Sequence, residues 1–302
     1  MQLPLARVVV ATIVLGFAAC LSATANGPAS DSASLDQNSA LSASKPGFFQ
    51  TLIDNQVEQA KAVGGVAVGE NLFTFGVVGA TTLVLLPFDA QIDKRMRTLK
   101  DRYAWVNTVS PRITTLGSTN GILGVVGFGT YGFVFSDIKA QETTLLTAQA
   151  LITSGLWTRL IKIATARERP SAEYVHSHQR GGEWSPLDEL DDDQHLGASS
   201  FDAFPSGHTA TAFSIATVFA EQYADKPLAP VIAYSTASIV GISRMTEHAH
   251  WMSDVFVGGA IGYLCGEQVV AHNRTLDKHT PEVFYSPNPD SKSGIVGLEM
   301  KW

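Results

Sequence analysis

Cysteine and charged residues are both scarce in this chain. Two cysteines stand among 302 residues, which excludes a disulfide framework and a zinc cluster built on cysteine. Charged side chains make up 16% of the sequence, whereas about a quarter is usual in soluble domains. The formal net charge of -7 lacks the basic excess of a nucleic-acid-binding protein. We therefore expect neither a disulfide-stapled protein nor one with a nucleic acid partner.

The N-terminus has the anatomy of an export signal. Arg7 precedes the apolar stretch Val8 to Ala19, and Ala23-Thr24-Ala25 offers a cleavage site of the small-x-small type. The apolar stretch is too short to span a membrane comfortably. We predict a signal peptide over residues 1–25, and the alternative is a lipoprotein signal that ends at Cys20.

The middle of the chain is typical of a helical protein. Gly, Ala and Thr are scattered through six apolar stretches, which suits close helix packing. The stretches are Leu72–Phe88, Ile122–Phe135, Leu145–Ile163, Thr209–Tyr223, Leu228–Ile242 and Asp254–Val270. We predict an all-α bundle of about six core helices over residues 46–284, which follows a flexible Ser/Ala-rich linker over 26–45. Cys265 lies in an apolar stretch and is predicted to be a small core residue.

Two segments depart from the helical pattern. The polar insertion from Ser171 to Asp202 is too long for an ordinary bundle connection, and its acidic run over 188–193 predicts a solvated loop. A cation site is the alternative, but no EF-hand spacing supports it; His176 and His178 are expected to be solvated as well. In the tail over 285–302, apolar residues alternate with polar ones and glycine, which predicts a short strand or extended arm laid over the bundle.

The first of three polar clusters pairs Lys162 with Arg169-Pro170. Seven residues are almost two helical turns, so both cations are expected on one helix face, with Pro170 near the exit from the helix. Two cations at a helix end could bind a phosphate. They could equally be solvated charges at a helix end.

The second cluster, Pro205-Ser206-Gly207-His208, precedes an apolar helix. Ser206 can cap that helix, and Gly207 lets the backbone approach a ligand closely. Free N–H groups at a helix N-terminus suit an anion. His208 would then lie beside the anion, where it can donate a proton.

The third cluster contains Ser243, Arg244, His250 and Asp254. The spacing of His250 and Asp254 would make them neighbours on one helix face. A carboxylate that accepts one imidazole N–H fixes the ring and leaves the other nitrogen aimed at a substrate. A His–Asp pair that only stabilises a helix start is the structural alternative, and His248 is a competing histidine.

Taken together and in this order, the clusters resemble the type 2 phosphatidic acid phosphatase superfamily. The pattern is Lys-x6-Arg-Pro, Pro-Ser-Gly-His and Ser-Arg-x5-His-x3-Asp, and every signature position is present between about Leu145 and Val270. The resemblance does not cover the linker, the first helices or the tail. The long Ser171–Asp202 insertion leaves the shape of the active-site mouth open, and with it the substrate.

The resemblance implies a metal-independent phosphomonoesterase without a cofactor. It gives His250 the role of nucleophile in a phosphohistidine intermediate, with Asp254 to orient and polarise it. It implies that His208 protonates the leaving alkoxide and then activates water for the second step. The phosphate ligands that it implies are Lys162, Arg169, Ser206, Gly207 and Arg244.

The resemblance leaves the substrate and the reaction partly open. Lipid phosphates such as phosphatidic acid are the expected substrates, with soluble phosphate esters of a periplasmic acid phosphatase as the alternative. The vanadium haloperoxidases belong to the same superfamily and are a second alternative. A non-enzymatic lipid-binding role is a third.

The expected location is the cell envelope, with the active site facing the periplasm and the protein peripheral or partly embedded. An integral membrane protein is the alternative. Suppose that the signal is cleaved and that three stretches, Leu72–Phe88, Ile122–Phe135 and Leu145–Ile163, then each cross the membrane. Lys162 would lie in the cytoplasm. The basic residues between Lys94 and Arg102 would also favour the cytoplasm at that point.

Overall fold

A computed structural model describes most of the chain beyond the N-terminal region. It describes residues 47–66, 72–171, 181–185, 201–279, 282–287 and 294–299. The predicted signal peptide, the linker, the acidic run over 188–193, His176 and His178 lie outside the described residues, so their interpretation stays a prediction.

The described residues form nine α-helices and two strands. The helices are α1 (Phe48–Val66), α2 (Leu72–Leu85), α3 (Asp89–Arg102), α4 (Ala104–Thr114), α5 (Thr119–Val134), α6 (Ile138–Thr165), α7 (Gly207–Gln222), α8 (Leu228–Thr246) and α9 (Met252–His279). Short 3-10 turns over Leu86–Phe88 and Thr115–Gly117 follow α2 and α4. All six predicted apolar stretches are helical, which confirms the all-α class.

Three helices were not among the predicted ones. The helices α1, α3 and α4 are too polar to be found as apolar runs, and α3 carries the basic residues between Lys94 and Arg102. Tertiary contacts hold them in place: Ser253 N–H donates to Asp89 Oδ1 at 2.9 Å, and Ser110 Oγ lies 2.7 Å from Thr246 Oγ1.

Helix α7 is central to the bundle and packs against α6, α8 and α9. The apolar core between these helices includes Phe204, Ile261 and Cys265, so Cys265 is the buried core residue that the sequence predicts. The start of α9 approaches the start of α7 so closely that a Cβ at Gly258 would collide with the Ser206 carbonyl oxygen. Glycine is required there because any side chain would push the two helix starts apart.

Six of the described helices run along the length of the bundle in alternating directions, and the three sequence motifs lie at one end of it. We call this the site end: α2, α6 and α8 run towards it, and α5, α7 and α9 run away from it. The contacts show this order, since a Cβ at Gly117 before α5 would meet the His208 carbonyl, whereas Gly132 near the end of α5 lies against Ala140 near the start of α6. Because Asp89 bonds to Ser253, the basic helix α3 also lies at the site end.

The C-terminal residues form a β-hairpin. Strand β1 (Glu282–Pro287) pairs antiparallel with β2 (Gly294–Glu299), with Val283 opposite Leu298. The predicted strand corresponds to β2. The partner β1 was missed because its apolar residues are consecutive and lack the alternation of period two.

Large apolar side chains are exposed on the outer faces of several helices. On α5 and α8 they include Leu123, Val126, Phe133, Val134, Leu228, Val231 and Ile232, each more than half exposed. Among the described residues, α8 has the length and composition of a membrane-crossing helix. Exposed apolar surface of this extent marks an interaction face rather than an ordinary solvated surface.

Candidate active site

Lys162 and Arg169 meet on a residue that the sequence analysis did not identify. The Arg169 Nε donates to Asp202 Oδ1 at 2.5 Å, and Lys162 Nζ donates to the Asp202 carbonyl oxygen. The expectation of one shared helix face is wrong for Arg169, since α6 ends at Thr165 and Ala166 adopts a left-handed conformation with φ 35°. The two cations converge because the chain turns back after Ala166.

The Pro-Ser-Gly-His cluster starts α7 as predicted. Ser206 is the N-cap, and its Oγ accepts a hydrogen bond from the Thr209 hydroxyl at 2.9 Å and from the Thr209 N–H at 3.5 Å. The Ser206 N–H donates to the Asp254 carbonyl oxygen at 3.0 Å. These bonds place Gly207 and His208 in the first turn of α7, where backbone N–H groups can bind an anion.

Arg244 lies at the end of α8 and is 7% exposed. Its guanidinium donates to Glu247 Oε2 at 2.7 Å, and the Thr114 hydroxyl that faces Arg244 also bonds to Ser243 at 2.8 Å. The Arg244 Nε is buried without a hydrogen-bond partner. A buried unpaired donor is costly, and a phosphoryl oxygen would satisfy it.

His250 is 3% exposed and is oriented by a backbone carbonyl. Its Nδ1 lies 2.7 Å from the Ala203 carbonyl oxygen, which can only accept a hydrogen bond. The proton must therefore reside on Nδ1, and the lone pair is on Nε2. An imidazole in this tautomer can act as a nucleophile through Nε2.

Asp254 does not have the contact that the sequence analysis predicts. Its Oδ2 lies 3.8 Å from His250 Nδ1, too far for a hydrogen bond, and the two residues do not share a helix face because α9 begins at Met252. Asp254 instead accepts the Trp251 N–H at 2.7 Å. An acidic side chain in the first helical turn binds free backbone N–H groups, so Asp254 positions the His250–Trp251 backbone.

A buried arginine that the sequence analysis missed holds Asp254. Arg167 is fully buried and pairs with Asp254 Oδ1 at 2.5 Å and with Asp89 Oδ2 at 2.7 Å. Its guanidinium carbon lies 4.7 Å and 5.4 Å from the ring centroids of Trp184 and Trp251. One planar guanidinium thus ties α3 to the start of α9 through two buried carboxylates.

His248, the competing histidine, is committed elsewhere. Its Nδ1 lies 2.8 Å from Asp93 Oδ1 on α3, and Asp93 also pairs with Arg97 at 2.8 Å. Arg97 in turn donates to the Pro170 carbonyl oxygen. These contacts fasten α3 across the site end and leave His250 as the candidate nucleophile.

The charges around His250 set its protonation state. Burial, and then the positive charges of Lys162, Arg169 and Arg244, lower the pKa of His250 well below its ordinary value. Burial of Asp202 acts against its ionisation, but the hydrogen bond from Arg169 and the charge of Lys162 outweigh it and lower the pKa of Asp202. His250 is therefore neutral at neutral pH, as a nucleophile must be.

His208 experiences the same electrostatic environment as His250. The charges of Arg244, Arg169 and Lys162 act on both imidazoles, so the structure brings the predicted histidines and cations together. The residues that were missed are Asp89, Arg167, Asp202, Ala203 and Glu247. No local spacing distinguishes them, and the only signal was the nearness of Arg167 to Arg169 in the sequence.

The geometry is that of a helical bundle in which one lysine and two arginines surround two histidines. Such a site is suited to binding a phosphoryl group. Residues 143–274 match the family model of the PAP2 superfamily. This match covers the part of the chain that contains all three polar clusters, from Lys162 to Asp254.

Similar proteins include named phosphatases. A lipid A 1-phosphatase of Porphyromonas gingivalis is 50% identical over 66 residues, which cover 22% of this chain and 15% of that protein. A lipid A 1-phosphatase of Rhizobium etli is 27% identical over 201 residues, covering 62% of this chain and 78% of that protein. The chain thus spans only a small part of the first relative and most of the second.

Two solved structures are also similar. The crystal structure of Aquifex aeolicus LpxE is 21% identical with a TM-score of 0.45 and covers 61% of this chain and 94% of that one. A transmembrane PAP2 type phosphatidylglycerolphosphate phosphatase from Bacillus subtilis is 22% identical, also with a TM-score of 0.45, and covers 66% and 95%.

Proposed function

We propose that this protein is a metal-independent phosphomonoesterase that hydrolyses lipid phosphates through a phosphohistidine intermediate on His250. The observation that carries the proposal is the tautomer of His250, whose Nδ1 bonds to the Ala203 carbonyl oxygen at 2.7 Å within a group of three cations. The relatives named lipid A 1-phosphatase support a lipid phosphate substrate, of which phosphatidic acid is the simplest form.

In the first step, the Nε2 lone pair of His250 attacks phosphorus and the bond to the leaving oxygen breaks. Burial and the charges of Arg244, Arg169 and Lys162 lower the pKa of His208 to about 4, so without substrate His208 is neutral at neutral pH. The negative phosphate offsets these positive charges when it binds, and His208 takes up a proton with the substrate. His208 transfers that proton to the leaving oxygen, so the lipid departs as an alcohol. Lys162, Arg169 and Arg244 stabilise the charge on the phosphoryl oxygens, together with the Gly207 backbone N–H. Phosphoryl transfer depends mainly on such positioning and charge stabilisation.

In the second step, neutral His208 accepts a proton from water while the water oxygen attacks the phosphohistidine. The bond from phosphorus to Nε2 breaks and its electron pair returns to Nε2. Inorganic phosphate then leaves, and His250 is ready for another substrate. Asp202 binds Arg169 through its carboxylate and Lys162 through its backbone carbonyl, so the phosphate must compete with both oxygens for these cations. Asp254 acts in this scheme as a positioning residue through Trp251.

The apolar faces of the bundle support a membrane location. We propose that the outer faces of α5 and α8 lie in lipid, and that the site end lies at the membrane surface on the periplasmic side. The exposed Tyr103 and Trp105 at the site end suit the level of the lipid headgroups. The basic helix α3 at the same end opposes the periplasmic placement, because positively charged residues next to a membrane favour the cytoplasmic side.

The first prediction concerns substrate and metal dependence. Purified protein should release phosphate from long-chain phosphatidate and lipid A in EDTA, because the described cations replace a metal. Catalytic efficiency should exceed that on p-nitrophenyl phosphate by at least about tenfold, since a buried chain adds binding energy. Orthovanadate should inhibit by occupying the phosphate site. Phosphate release with and without EDTA and vanadate is the measurement.

Three results would contradict the proposal in different ways. Activity that EDTA abolishes and a divalent ion restores would exclude the metal-independent mechanism. Faster hydrolysis of the soluble ester would favour the acid phosphatase alternative. Halide oxidation in the presence of vanadate, without phosphate release, would favour a haloperoxidase.

The second prediction concerns the side of the membrane that the site end faces. In a chain with Cys20 and Cys265 replaced by alanine, a cysteine at Ser177 within the insertion should react with an impermeant maleimide from the periplasm. A cysteine at Ala224, between α7 and α8 at the opposite end, should react only after the inner membrane is broken. The reverse pattern would place the site end in the cytoplasm.

A further inference from the structure

An apolar groove of about 730 Å³ runs between α5, α7 and α8. Small residues form much of its wall, and larger apolar and aromatic residues form most of the rest. Its lining includes Gly121, Gly124, Ala212, Ala216, Ala233 and Ala237. Small side chains on three neighbouring helices leave a channel along the bundle because they cannot fill the space between the helix axes.

One end of the groove lies about one helical turn from residues of the candidate active site. Ala212 lines it one helical turn after His208, and Val240 lines it one turn before Arg244. Leu116 also lines it, two residues after Thr114, whose hydroxyl bonds to Ser243 at 2.8 Å. Three helical segments that carry site residues thus continue directly into the wall of the groove.

The other end lies near Tyr223 and Lys226 at the opposite end of α7. From Ala212 to Tyr223 the helix rises about 16 Å, which suits an extended hydrocarbon chain. The wall is nearly free of charged side chains between these ends, so a polar ligand would lose its hydration there without compensation. The chemistry of the wall favours an alkyl chain.

We infer that this groove holds an acyl chain of the lipid phosphate substrate while its phosphate lies among Lys162, Arg169 and Arg244. The inference rests on the proposed function and adds the location of the apolar part of the substrate. The groove shares Ile232 with the outer apolar face of α8, but its wall also continues into the segments that carry His208 and Arg244. Selectivity for chain length would follow from the length and width of this groove.

Gly124→Leu tests the inference, with Gly127→Leu as its matched control. Both glycines lie in α5 and a Cβ at either meets no atom within 4 Å, but only Gly124 lines the groove. Gly124→Leu should lower kcat/KM for dipalmitoyl phosphatidate at least about tenfold, because the leucine displaces several methylene contacts. It should leave kcat/KM for dihexanoyl phosphatidate within about twofold, and Gly127→Leu should change neither.

A second pair of variants, placed in α8, tests the groove without altering α5, so a folding defect in α5 cannot explain its result. Thr236→Phe blocks the groove from α8, and Ser235→Phe places the same ring beside it; both positions are exposed, and only Thr236 lines the groove. Equal effects on both substrates, equal effects within a pair, or an unchanged long-chain rate in the blocking variants would overturn the inference. A wild-type protein that hydrolyses neither phosphatidate would instead contradict the proposed phosphatase function.

Discussion

Replacing His250 by alanine or asparagine is expected to lower phosphatase activity by several orders of magnitude, because the residues of such a site act as a unit. The asparagine amide can still donate to the Ala203 carbonyl, which accepts His250 Nδ1–H at 2.7 Å, so this variant removes the nucleophile and keeps the local fold. Phosphate release and acid-labile labelling with a radioactive phosphate ester measure the loss of turnover and of the phosphoenzyme.

His248→Asn is the matched control. His248 has a positive φ of 55°, and asparagine tolerates that conformation better than most residues. His248 bonds to Asp93 on α3, so its proposed role is to hold α3 in place and not to bind phosphate. Activity of His248→Asn should therefore stay within several-fold of the wild type. Loss of activity in His248→Asn together with near-normal turnover in His250→Asn would transfer the nucleophile's role to His248.

Arg167→Ala is expected to destabilise the folded protein by about 3–5 kcal/mol, the usual effect of removing one partner from a buried ion pair. The change leaves two buried carboxylates, Asp89 and Asp254, without the guanidinium that binds both at 2.7 Å and 2.5 Å. Arg167→Lys should restore only part of the stability, since one ammonium lacks the planar fork. Chemical unfolding of the purified protein in detergent measures the free energy of unfolding.

Arg159→Ala supplies the comparison, because Arg159 lies in α6, just before Arg167 in the sequence, and is exposed. Surface charges contribute up to about 1 kcal/mol. In an Asp89→Ala background, Arg167→Ala should cost less than in the wild type, since one unpaired carboxylate is already absent. A cost of Arg167→Ala no larger than that of Arg159→Ala, or costs that add without coupling, would show that the buried ion pairs do not stabilise the fold.

Local patterns in the sequence determined the helical class and the residues of the three motifs. Apolar stretches of helical length are a local property, and all six became helices. The capping role of Ser206 was also local, since a hydroxyl before a helix binds N–H groups only three residues away. The motif spacing identified His208, Arg244 and His250 before any contact was known.

The orientation of the catalytic groups could not be derived in this way. The partner of His250 Nδ1 is the carbonyl of Ala203, 47 residues away in sequence, whereas local spacing predicted Asp254. The spacing argument assumed a helix at His250, but α9 begins two residues later. A carboxylate in the first turn then meets backbone N–H groups and Arg167 before it can reach the imidazole.

The sequence by itself thus determined the six apolar helices of the bundle and the motif side chains to which we assign the phosphate chemistry. Only the tertiary structure decided how they are held: Arg167 meets Asp89 across 78 residues, and Asp202 meets Arg169 across 33. The groove lined by Gly124, Ala212 and Val240 is likewise a product of three helices packing together. Periodicity reports which face of a segment is apolar, but the distances between segments depend on the packing of the whole bundle.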